Sequence, residues 1–175
     1  MNPHAMPGAF ARLLNLRTLF AVVMVLVFAG YHTRSFNQAA EELDIREAVF
    51  RDLFPKKEWG GPKHTGFFYL AIRVHGDFTD PDDALMARFA KNEPPVKRRS
   101  ECHIWSDQGG VVLDNKTGEQ GVIYNTGSIT WISNTEVRIG GGYYVGNVGA
   151  AGNIRHLRKV NGKWLVIGID SGWVS

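Results

Sequence analysis

Six ionisable side chains in stretches of strand-like pattern carry most of this chain's scope for chemistry: His75, Asp77, Cys102, His103, His156 and Asp170. His75 and Asp77 flank Gly76 at the end of an apolar run. Two positions apart on a strand, they would share a face, and a His–Asp pair supplies a general base with an orienting carboxylate. The same pair at a strand end is also ordinary turn composition. Cys102 and His103 are adjacent, so extended backbone sends them to opposite faces. A thiolate–imidazole pair would then need His75 or His156 from across the sheet, and Cys102 alone reads as a small buried apolar residue. Asp170 ends the last long strand pattern. Enclosed by apolar surface with Tyr143 or Tyr144 as donor, it would act as an acid–base group; before Ser171-Gly172 it is equally a turn former. The catalytic candidates are therefore Asp170, His75 and His156, in a dyad of isomerase, dehydratase or hydrolase type.

A second set of residues suits binding. Trp131, Tyr143, Tyr144 and Trp164 fall on strand patterns in the C-terminal half, and Trp173 lies just past the last of them. Aromatics there either pack across strands or line a pocket for an apolar ligand. No HxH or HExxH spacing is present, and the single cysteine excludes an internal disulfide or a multi-cysteine zinc site. Gly140-Gly141-Gly142 lacks the following helix and Lys-Ser/Thr of a phosphate loop. Glycines inside a strand pattern mark a bulge, a bend or a close approach of backbone or ligand. No metal and no cofactor are expected.

The elements that must position these residues follow from periodicity. Phe36, Ala39, Ala40, Leu43, Phe50, Leu53 and Phe54 recur at helical spacing and predict a helix over 34–54. Phe67–Val74 reads as a buried strand. Asp80-Pro81-Asp82-Asp83 combines an N-cap aspartate, a first-turn proline and acids at the helix start, predicting a second helix to about Asn92. After Val96 the pattern turns to strands: 100–105, 110–113, 121–133, 136–146, 153–160 and 164–170, joined by turn residues such as Asn134-Thr135 and Asn161-Gly162. Asn-Gly between two such runs is a strong hairpin signal. The expectation is an α+β domain of two helices packed on a curved antiparallel sheet of four to six strands.

Length and charge bound the rest. At 175 residues, 44% hydrophobic and 21% charged, the chain suits one packed domain with an appendage. Arg12 and Arg17 precede the uncharged stretch 18–31, while all seventeen acids and eighteen of the twenty basic residues follow it. Basic residues before an apolar run are the pattern of a secretory signal. Residues 1–31 are thus expected to be a cytoplasmic n-region with an uncleaved anchor, or a signal peptide cut before Gly30. That puts 32–175 outside the inner membrane, or in the periplasm or medium if cleaved. The nearly neutral remainder argues against a nucleic-acid partner. The Lys97-Arg98-Arg99 cluster reads as a solvated strand end.

The C-terminal run Gly141-Gly142-Tyr143-Tyr144, Gly146, Gly152-Asn153, Gly162-Lys163-Trp164 and Trp173-Val174-Ser175 resembles the tail of uncharacterised bacterial exported proteins. Helix, strand, helix and curved sheet resemble the cystatin-like roll of nuclear-transport-factor-2-like proteins. The resemblance implies a cone-shaped exported domain and no particular activity. The functional expectation is a non-catalytic envelope protein that binds a small ligand or an envelope protein. The alternatives are the acid–base enzyme above and a homodimer formed through the sheet.

Overall fold

The computed structural model describes residues 38–55, 66–146 and 149–174. The membrane or signal segment 18–31 therefore lies outside the described residues; among these, no helix is long and apolar enough to cross a membrane. From Ala40 onward every element belongs to the unit Ala40–Ser175.

Helix α1 covers residues 38–53. Ile45 and Val49, and Phe50 with Phe54, sit four residues apart and bury one stripe. Glu47 and Arg51 occupy another face and pair at 2.8 Å. The stripe lies against a mixed sheet of eight strands. Their ranges are β1 Phe67–Val74, β2 Asp77–Thr79, β3 Val96–Arg98, β6 Gly121–Ser133, β7 Glu136–Gly146, β8 Gly149–Val160, β9 Lys163–Ile169 and β10 Trp173–Val174. The order is β10-β8-β7-β6-β1-β2, with β3 also on β1 and β9 also on β8.

Strand β1 shows why the sheet is mixed. Phe68, Tyr69, Leu70 and Ala71 are all buried, without alternation, as befits a strand covered on both faces. It runs parallel to β6 (Phe67 opposite Gly121) and to β3 (Phe68 opposite Val96). Phe68 and Leu70 join Phe50, Phe54, Val122 and Tyr124 on the α1 side. Tyr69 and Ala71 face the other way, against a separate hairpin of β4 (Cys102–Trp105) and β5 (Val111–Asp114), where Cys102 and Val112 cover them. Ile45 and Val49 pack on Val137, Ile139, Leu157 and Trp164 farther along the α1 side.

The expected architecture, two helices packed on an antiparallel sheet of four to six strands, is overturned. Among the described residues strand takes 55% against 21% helix, with one main helix and a sheet larger than foreseen and partly parallel. The second helix, α2, spans only Asp83–Ala87. Its N-cap is Asp82, whose side chain accepts from the Leu85 amide at 2.8 Å; Asp80 instead accepts from the Ser100 amide at 2.9 Å. Past Ala87 the chain continues to Asn92 in tighter turns whose amides bond three residues back, and Arg88 pairs with Asp44 at 2.5 Å and Glu47 at 2.9 Å on α1.

Candidate functional site

On the face away from α1, cross-strand pairing lays glycines side by side. Gly142 pairs with Asn125 and Gly152, and Gly140 pairs with Ile154. Gly127 reaches the same strip, its nearest neighbours being backbone atoms of Gly140. A groove of about 700 Å³ runs over this floor, walled by Phe78, Ile104, Tyr144, Ile154 and Trp173. That volume is in the range of small-molecule sites.

The glycines differ in why they are glycines. A Cβ on Gly152 would lie 2.9 Å from Nε1 of Trp173, and one on Gly172 would lie 1.8 Å from the Gly152 carbonyl oxygen. Those two are fixed by the close docking of β10 on β8. A Cβ on Gly140 meets nothing within 4 Å among the described residues, and the nearest contact for Gly127 is 3.8 Å. Neither has a positive φ. Glycine inside a strand costs about 0.5–1 kcal/mol relative to alanine, and neither sterics nor backbone conformation requires it here. What its absence of side chain preserves is the open floor.

At the β1 end the groove is bordered by Arg73 and Arg99, and no carboxylate lines it. Arg73 lies 5.8 Å from the Phe78 ring centroid. Arg99 donates through Nη1 to the Cys102 carbonyl at 2.8 Å. On the α1 side a second cleft, of about 640 Å³, is bordered by Asp52, Tyr124, Asn153, Arg155 and Ile169. Its charge is satisfied internally. Arg155, nearly fully buried, donates to Asp52 at 2.8 Å, to the Gly141 carbonyl at 3.2 Å and to Asn153.

The residues singled out from the sequence divide sharply. Tyr144 and Trp173 wall the groove, and Tyr143 borders both clefts. Trp131 and Trp164 lie on the α1 side instead, packed edge to face at 5.8 Å, and Trp164 donates through Nε1 to Glu41 at 2.5 Å. Asp170 and His156 do meet: Oδ1 is 2.9 Å from Nε2. Nε2 nevertheless has no hydrogen bond of proper geometry, so the carboxylate sits off the N–H axis. Arg138 donates to the other ring nitrogen at 3.4 Å. Neither residue lines either cleft, and Asp170 is half exposed. His75 is elsewhere, at the tip of the β1–β2 turn with φ 49°, away from the groove lining. His103 bonds Asn115 at 2.8 Å on the surface. Among the described residues no three potential metal ligands converge.

Comparison with protein-family models, with curated proteins and with solved structures gives no match. The site therefore has to be understood from its own geometry.

Two features escaped the sequence patterns. Lys97, Arg98 and Arg99 are no solvated run: Lys97 pairs with Asp114 at 2.6 Å, Arg98 pairs with Asp83, and Arg99 turns to the groove. Asp114 is the second, a buried carboxylate that also accepts from the Tyr69 hydroxyl at 2.8 Å and the amides of Lys116 and Thr117. Burial alone would raise its pKa. Lys97, the Thr117 and Lys116 amides and Tyr69 more than offset that, and the carboxyl is held well below the usual range. The Asn115-Lys116-Thr117-Gly118 turn was the available signal, since aspartate before a turn commonly caps it.

Cys102 is buried, and burial pushes its thiol up to about 11 even with Arg99 beside it. A thiol, unlike a thiolate, is a poor nucleophile. The folded protein at pH 7.5 is expected to leave dithionitrobenzoate unreacted for hours, with one equivalent released on unfolding in guanidinium. Release within minutes from the folded protein would show that the thiol is reachable and ionised.

Proposed function

We propose that this domain is a non-catalytic binding module that holds a small, apolar-bodied ligand in the glycine-floored groove. One observation carries this: Gly140 and Gly127 keep the floor bare although the fold has room for side chains there. Aromatic and aliphatic walls supply contact area, and Asn125 on the floor offers a polar group for orientation. The acid–base alternative has less behind it, because neither His156 nor Asp170 lines either cleft and Asp170 is half exposed. The homodimer through the sheet is also weaker. Ile132 on β6 and Leu165 on β9 are half exposed, but the Arg158–Glu136 ion pair on the two strands between them interrupts the apolar surface, and charge at the core of an interface is unfavourable.

Filling the floor tests the proposal. Gly140→Val should leave the melting temperature unchanged or raise it, since a β-branched residue suits a strand. It should weaken binding of a neutral aromatic probe, 2-naphthamide, at least tenfold, read by calorimetric titration. Equal affinity in the variant and the natural protein would sink the groove as the binding site.

A further inference from the structure

We infer that the groove selects amphipathic organic acids, with the ligand's anionic group held between Arg73 and Arg99 and its apolar body laid across the glycine floor; this rests on the groove proposed above. The contrast among the cations supports it. Arg51, Arg88, Arg98, Arg155 and Arg158 each have a carboxylate within ion-pair distance. Among the described residues Arg46, Arg73, Arg99 and Arg138 have none; Arg46 donates to Thr126 and the Gly127 carbonyl and Arg138 to His156, whereas Arg73 and Arg99 border the groove. A cleft with two guanidinium groups, no carboxylate and low-dielectric walls concentrates positive potential.

The anchoring of Arg99 favours the same conclusion. Its Nη1 is held by the Cys102 carbonyl at 2.8 Å, which fixes the guanidinium while leaving other N–H donors uncommitted. A planar fork of that kind suits a carboxylate or sulfonate. Arg73 ends the run Tyr69, Ala71, Arg73 on the outer face of β1, and from it the floor crosses β6 and β7 to Ile154 on β8. Three strand spacings give a track of about 14 Å. An acid with an aromatic or aliphatic body shorter than that fits; a neutral apolar molecule leaves both cations unanswered, and a dianion with two distant charges would place one on Ile154 or Trp173.

Paired isosteres provide the test. Calorimetric titration of the full-length chain with 2-naphthoate and with uncharged 2-naphthamide compares the same body with and without charge. The naphthoate should bind at least tenfold tighter. In Arg73→Gln and in Arg99→Gln that preference should fall to twofold or less, while amide affinity stays within twofold of the natural protein, which also reports that the variants are folded. Equal binding of the two probes, both abolished by Gly140→Val, would overturn the anionic subsite and leave the groove standing. Binding of both that ignores Gly140→Val, or no binding of either, would overturn the groove itself. A preference for naphthoate that survives both arginine substitutions would place the anion elsewhere and overturn the assignment of Arg73 and Arg99.

Discussion

Replacing Asp114 by alanine is expected to destabilise the fold by about 3–5 kcal/mol, the cost of removing one partner from a buried charged network. Its side chain is 1% exposed, and it joins three strands that do not neighbour one another in sequence. Tyr69 comes from β1, Lys97 from β3, and Asp114 itself from β5. Truncation leaves the Tyr69 hydroxyl and the Lys116 and Thr117 amides without an acceptor, and strands a half-buried ammonium. Urea titration of the full-length chain checks this through the shift in midpoint at constant slope; a loss below about 1 kcal/mol would mean that water replaces the carboxylate. The acid limb of stability gives an independent reading. The folded pKa is depressed below its ordinary value of 3.8. The carboxylate's contribution is thus fully present above the unfolded pKa of about 4 and is lost as pH falls through the lower folded value. Asp114→Asn should flatten that limb below pH 4 and leave the slope above pH 5 unchanged.

The second large effect belongs to Arg155. Arg155→Ala should cost about 3 kcal/mol, the low end for breaking a buried pair, because Asp52 keeps a quarter of its surface in water. The Gly141 carbonyl and Asn153 lose their donor at the same time. Joint replacement, Arg155→Met with Asp52→Leu, removes both charges and restores apolar volume between α1 and β8. It should recover more than half of the loss, since a well-packed apolar pair of similar size is often as stable as a buried ion pair. Thermal and urea denaturation of the single and double variants forms the cycle. A double variant no more stable than Arg155→Ala would show that the hydrogen bonds to Gly141 and Asn153, rather than the charge pairing, carry the contribution.

Local structure was legible wherever a period was long enough to show. Strands β1, β6 and β7 occupy the residues that their apolar patterns marked, and Asn161-Gly162 makes a two-residue turn with φ 51° and 78°, as such a pair favours. Strand β8 begins at Gly149, earlier than its pattern suggested, because Gly149-Ala150-Ala151-Gly152 has turn composition and is glycine-rich for close packing. Strands β2, β3 and β10 span two or three residues, too few for alternation to register. The parallel placement of β1 beside β6 was invisible because periodicity reports which faces are buried, not which strand lies alongside. The aromatic groove residues were visible as types, but their division was not: Trp164 and Trp173 have equal claim in sequence, and only register sends one beneath α1 and the other over Gly152. Arg99 showed only as part of a basic cluster and Arg73 gave no signal, since the lack of a carboxylate beside each, among the described residues, is a property of the folded neighbourhood.

The pairing of β1 with β6 also fixes an order of assembly. Strands β6 to β9 follow one another as hairpins, with turns such as Asn134-Thr135 and Asn161-Gly162, and need little chain entropy to meet. Strand β1 finds β6 only after everything from β2 to β5 has been looped out between them, and loop closure is opposed until its contacts form. High contact order of this kind slows folding. The buried run Phe68–Ala71 is therefore the surface a newly made chain must hold exposed longest, a window in which apolar strands associate wrongly.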